Sequence, residues 1–161
     1  MIRKATSQDI KDIKKILSYY SLDTDNVENN LPEFIVAVHE DKMIGCACLD
    51  TGDITELRSI AVLPGYRNSG TGSRLVEYLL NHVKDKADAM YLRTTSPGFF
   101  EKKGFKKLPD DDKKTIWKDC AECDKFSICR QTLMKFQFNQ EDKSRPLKLS
   151  LHTLIYCMVI V

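Results

Sequence analysis

The chain has 161 residues, the size of one domain with a small appendage, and its 25 lysines and arginines stand against 23 aspartates and glutamates for a formal charge of +2. Charges of both signs are interspersed along it, which leaves no basic stripe for a nucleic-acid partner. Residues 1–9 lack the apolar core of a signal peptide, and the apolar residues 147–161 are too few to span a bilayer and include Lys148 and His152, so the expectation is a cytoplasmic protein with no membrane partner.

Residues 2–5 predict a short first strand, and Thr6 or Ser7 then caps a helix whose apolar positions Ile10, Ile13, Ile16 and Leu17 recur at helical spacing. Residues 21–32 are polar and read as a loop or short second helix. Residues 34–38 and 43–49 are apolar, and Glu40-Asp41-Lys42 between them makes a β-hairpin. Cys46 and Cys48 fall on one face of its second strand as small core residues. Residues 54–62 alternate and then become an apolar run, as a largely buried strand does, until Pro64-Gly65 breaks them. A loop, Arg67-Asn68-Ser69-Gly70-Thr71-Gly72, follows, and Leu75, Val76, Leu79, Leu80 and Val83 then lay an apolar stripe along a helix to about Lys86. Residues 89–94 predict a strand that comes after a helix and so runs parallel to the strand before the loop. Pro97 opens a short helix, Gly104 ends it, and Phe105 begins a last strand. The run Asp110-Asp111-Asp112-Lys113-Lys114 reads as a solvated turn, and residues 136–145 as a polar linker. Helices alternating with strands in this order predict a mixed α/β fold.

The glycine loop carries the chemistry. Glycines remove side chains that would block close approach, and the first turn of the following helix offers free N–H groups at the positive end of its dipole, a site for phosphate. A nucleotide P-loop needs a lysine after its glycine, and Gly72 is followed by Ser73-Arg74. A dinucleotide fingerprint starting at Gly70 needs a small sixth residue, and Leu75 stands there.

The element order, residues 57–62, the loop Arg67 to Gly72 and the later Gly98-Phe99-Phe100-Glu101-Lys102-Lys103-Gly104-Phe105 together resemble the GCN5-related N-acetyltransferases (GNAT family) over roughly residues 1–108. The resemblance implies a mixed central sheet with helices on both faces and a parallel strand pair splayed around acetyl-coenzyme A, and a domain over 1–136 followed by an extension, 137–161, of unknown role. It also implies that backbone amides near Ile60, Ala61 and Val62 hold the thioester and pantetheine, and that Arg67, Asn68, Ser69, Gly70, Thr71, Gly72 and Ser73 hold the pyrophosphate. Many family members carry a tyrosine just before the Glu-Lys-x-Gly-Phe segment, where this chain has Phe99-Phe100. The cysteine-bearing segment 117–131 looks like the tail of short, single-domain N-acetylglutamate synthases, with Arg130-Gln131 where those often have an acidic pair.

Acyl transfer to an amine needs a neutral nucleophile and a polarised carbonyl. Glu56 is the candidate base; period-two alternation places it on one side of its strand with Arg58 and Ile60, and the competing reading is a salt-bridged strand residue. Arg58 and Arg93, on the two strands that flank the cleft, are candidates to pair with a substrate carboxylate. Cys120, Cys123 and Cys129 are either zinc ligands, completed by Cys157, His152 or a distant residue, or reduced structural cysteines. The apolar residues 147–161 want a partner surface, as an added strand, a homodimer contact or an extension foreign to the family. The expected activity is acetyl transfer from acetyl-coenzyme A to a small-molecule amine, an amino acid such as glutamate among them. The alternatives are a peptide N-acetyltransferase and a non-catalytic acetyl-coenzyme A sensor or interaction protein.

Overall fold

The apolar runs of the sequence are too evenly split between two faces to be covered by one layer, and in the computed structural model, which describes residues 1–138, they form a sheet clothed by a helix on either side. Its strands are β1 (Ile2–Lys4), β2 (Phe34–His39), β3 (Lys42–Asp50), β4 (Glu56–Val62), β5 (Ala89–Thr94), β6 (Lys106–Lys107) and β7 (Thr132–Gln137), in the order β1-β2-β3-β4-β5-β7-β6. All neighbours are antiparallel except β4 and β5. The helices are α1 (Ile10–Tyr19), α2 (Thr71–Val83), α3 (Pro97–Glu101), α4 (Asp112–Ile116) and α5 (Lys118–Ala121).

The period-two pattern sorts the side chains between the layers. Ile35, Ala47, Leu57, Met90 and Leu92 meet Leu75, Val76, Leu79 and Val83 of α2 on one face. Val36, Cys46, Cys48 and Ala61 meet Ile13, Ile16 and Leu17 of α1 on the other. The predicted hairpin forms with Glu40 and Asp41 at φ +47° and +58° as its two turn residues, the mirror-image turn that matches strand twist. Parallel pairing of β4 with β5 also forms as expected.

Two expectations are corrected. Phe105 does not begin the last strand, because Thr132–Gln137 returns as β7 and inserts between β5 and β6, pairing with β5 from Ala89↔Gln137 to Thr94↔Thr132. Residues 132–138 carry the signal for it, since Met134, Phe136 and Phe138 alternate onto the α2 face, so the expected polar linker begins inside a strand. The run Asp110 to Lys114 is not a purely solvated turn either. Lys113 is 1 % exposed, its Nζ donating to the Gln131 carbonyl and lying 2.9 Å from Asp110 Oδ1. The expectations for residues 139–161, with His152 and Cys157 among them, lie outside the described residues. Among those described, no helix is long and apolar enough to cross a membrane.

Candidate active site

A parallel strand pair that diverges leaves backbone N–H and C=O groups without a ladder partner, and such groups need either water or a ligand. β4 and β5 share one register pair, Glu56↔Tyr91, with the Tyr91 N–H donating to the Thr55 carbonyl at 2.9 Å. Beyond it a cavity of about 790 Å³ opens between residues 57–62 of β4 and residues 92–96 at the end of β5, closed on one side by the glycine loop and by Phe99 and Phe100. The Tyr20 hydroxyl donates to the Val62 carbonyl and fixes the outer end of β4. That contact has no signature in the sequence, because nothing local marks a helix-end tyrosine as a strand brace.

Gly70 sits at the N-cap of α2 with φ +79°, a left-handed backbone that glycine adopts without steric penalty. The first intrahelical bond runs from the Arg74 N–H to the Gly70 carbonyl, so the N–H groups of Thr71, Gly72 and Ser73 have no acceptor within the helix. A Cβ on Gly72 would lie 3.4 Å from the Phe99 ring, at the cavity wall. Ile60, Ala61, Val62, Arg67, Asn68, Gly70, Gly72 and Ser73 all line this cavity. Ser69 and Thr71 do not. Ser69 Oγ donates to the Tyr66 carbonyl and lies 2.9 Å from Thr71 Oγ1, and Arg74 Nη2 donates to Thr71 Oγ1 at 3.2 Å, so this pair braces the loop from behind.

A second cavity, of about 360 Å³, meets the first along Arg58, Ser59 and Arg93. Its other walls include Asp23, Asn26 and Asn30 from the segment after α1, together with Cys48, Glu56 and Asp119. The expectation that Glu56, Arg58 and Ile60 share one side fails at a β-bulge. Leu49 faces Leu57 and Cys48 faces Ser59, so Arg58 is an extra residue that shifts the alternation by one. Leu57 and Ile60 consequently pack toward α2, while Glu56 opens into the smaller cavity on the α1 side. The bulge thus separates the carboxylate from Ile60 and leaves Arg58 between the two cavities.

Glu56 is 7 % exposed and lies 3.4 Å from Arg93 Nη2. Arg93 Nη1 donates to Asp119 Oδ2 at 2.8 Å and to Cys120 Sγ at 3.3 Å, and its guanidinium stacks 4.6 Å from the Trp117 ring. Burial opposes the charge on Arg93, yet its bonds to Asp119 and Cys120 and the nearby Glu56 carboxylate raise its pKa above the ordinary arginine value. Arg58 makes a looser contact, 3.4 Å to Asp50. Burial, reinforced by the Glu33 carboxylate, pushes the Cys48 thiol up to about 12. Asp119 was not anticipated; its charge is legible, but only the tertiary fold carries it from α5 to the end of β5.

The cysteine segment does not gather as a metal site. Cys120 is buried against Trp117 and Leu133, with Cys123 and Cys129 exposed, and among the described residues no three His, Cys, Asp or Glu side chains form a group that could hold a metal. Cys120 serves the core and Arg93 instead.

Comparison with known proteins accords with this geometry. The family profile described as Acetyltransferase (GNAT) domain matches residues 30–107. An amino-acid acetyltransferase of Mycobacterium tuberculosis is 30% identical over 121 residues, covering 67% of this chain and 69% of the relative. The chain belongs to the GNAT acetyltransferases. An uncharacterized N-acetyltransferase of Chlorobaculum tepidum is also similar, 28% identical over 83% of this chain and 93% of its own. Among solved structures, a Mycobacterium tuberculosis protein in complex with CoA and NLQ shares the GNAT fold at a TM-score of 0.73 and 22% identity, over 86% of this chain and 99% of that one. N-acetylglutamate synthase from Neisseria gonorrhoeae, complexed with coenzyme A and N-acetyl-glutamate, does so at 0.70 and 22%, over 87% of this chain and 35% of that one. The protein is an acetyl-coenzyme A-dependent N-acetyltransferase. Its larger cavity suits that cosubstrate: a glycine loop with open N–H groups at one end and unpaired strand edge at the other.

Proposed function

We propose that this GNAT enzyme acetylates the α-amine of a small amino acid. The observation that carries the reading is the junction of the two cavities, where Arg58 and Arg93 form a cationic wall and Glu56 lies beside it. A substrate carboxylate rests against that wall, which places the adjacent amine at the mouth of the larger cavity. The naming of relatives as amino-acid acetyltransferases supports the same class of acceptor.

In this reading the N–H groups of Gly72 and Ser73, with Arg67, hold the pyrophosphate of acetyl-coenzyme A. Amides of residues 60–62 hold the thioester carbonyl and stabilise the oxyanion as the amine adds. An α-amine, whose ordinary pKa is near ~8, gives up its proton through water to Glu56. The C–S bond then breaks, and the thiolate takes its proton from solvent, since Phe99 and Phe100 offer none. Thiol release from acetyl-coenzyme A against amino acids, polyamines and peptides tests the proposal, with glutamate as reference because a synthase relative is named for its acetylated form. Turnover with amino acids is expected; turnover with peptides or polyamines alone overturns it.

A further inference from the structure

Resting on the amino-acid reading, we infer that the acceptor carries one carboxylate and a neutral or cationic side chain, and that glutamate, with two carboxylates, is a poor substrate. The smaller cavity holds three carboxylates, Asp23, Glu56 and Asp119, against two guanidiniums, Arg58 and Arg93. Of the two guanidiniums, Arg93 is the more heavily paired and Arg58 the freer to turn toward a new partner. Arg93 has both terminal nitrogens engaged, with Asp119, Cys120 and Glu56, and one face on Trp117. Pulling it toward a substrate would strip the cation from Glu56, which is buried at 7 % exposure. Arg93 is therefore a positioning residue for Glu56, and its charge is largely balanced by Glu56 and Asp119.

Arg58 differs. Its one ion pair among the described residues, 3.4 Å to Asp50, is longer than a charge-assisted bond, and its side chain is 44% exposed, so it can turn its fork to an α-carboxylate. The acceptor's side chain then meets the segment after α1, where Asp23, Asn26 and Asn30 line the cavity. No cation other than Arg58 and Arg93 lines the cavity among the described residues. Glu33 and Asp50 lie behind Cys48; burial and the Asp50 charge raise the pKa of Glu33, and the Arg58 charge offsets part of that rise. A second carboxylate would enter beside three carboxylates, with Arg58 on the first carboxylate and Arg93 already paired to Glu56 and Asp119. An amide or an ammonium would find acceptors.

The test is kcat/KM for L-glutamate, L-glutamine and L-ornithine on the full chain at saturating acetyl-coenzyme A, read by thiol release. Glutamine and ornithine are expected to exceed glutamate by about tenfold or more. Asp23 is exposed, and its carboxylate accepts the Asp25 N–H at 2.8 Å, a bond asparagine can also accept, so Asp23→Asn keeps the turn. That variant is expected to narrow the ornithine-to-glutamate ratio by roughly threefold or more, through KM for ornithine. Glutamate as the best of the three, or a ratio untouched in Asp23→Asn, overturns the proposal. No turnover with any of them, in protein that still binds acetyl-coenzyme A calorimetrically, overturns the amino-acid reading beneath it.

Discussion

Gly70 and Glu56 illustrate two kinds of demand a site makes on a single residue. Gly70 is needed for its backbone: at φ +79° a branched side chain costs about 1–2 kcal/mol, and it would also crowd the proposed phosphate cradle. Gly70→Val is expected to weaken acetyl-coenzyme A binding by ~10-fold or more in calorimetry, and unchanged affinity would remove the loop as the pyrophosphate site. Glu56 is proposed for its charge, as the base beside Arg93. Glu56→Gln should lower kcat by about 10²-fold, and full turnover at neutral pH would dismiss it as the base. Cysteines supply a third test. Cys46 and Cys48 are buried, which pushes both thiols up to about 12, while Cys123 and Cys129 are exposed. Alkylation of the native protein near neutral pH should therefore label Cys123 and Cys129 and spare the β3 pair until the chain is unfolded; labelling of Cys46 in the folded state would contradict the packing.

At the scale of elements, the first helical turn is tied to β1 by charge. Arg3 donates to both Asp9 oxygens, at 2.7 and 2.9 Å, and with the Thr6 N–H holds the Asp9 carboxyl at about 2, below its ordinary value. A depressed carboxyl contributes stability that is present above pH ~4 and lost as pH falls through about 2. Because the Arg3 side chain is 36% exposed, solvent screens the pair, and Asp9→Asn should cost about 1–2 kcal/mol at pH 7 and much less near pH 2. Urea titrations at the two pH values check this. The β2–β3 hairpin carries the opposite opportunity. Glu40 and Asp41 occupy left-handed conformations suited to Asn-Gly, and replacing them so should stabilise the fold by roughly 1 kcal/mol in the same titrations. Both elements were legible in the sequence, since capping and hairpin turns are local. The bulge at Arg58 was not, because a register slip is decided by what β3 and β4 each bury, and strict alternation therefore misplaced Glu56 relative to Ile60.

Across the whole molecule, the two cavities exist because β4 and β5 part after one pairing while β7 takes up the other edge of β5. Gly45 belongs to this scale: a Cβ there would lie 2.9 Å from the Ala61 carbonyl oxygen, so the close approach of β3 sets the position of the strand that carries the proposed thioester amides. What the sequence determined by itself was the donor side of the enzyme. Strand, glycine loop and helix are contiguous from β4 to α2, and their hydrogen-bonding capacity follows from local backbone geometry. On the proposed acceptor side the sequence offered Glu56, Arg58 and Arg93, and only the tertiary structure brought Asp23 and Asp119 to them. Asp23, Arg58, Arg93 and Asp119 come from four separate segments, and the charge balance of their cavity arises only when the sheet, with β7 inserted, brings those segments together. Local rules fix conformation within a few residues; long-range pairing fixes which charges meet.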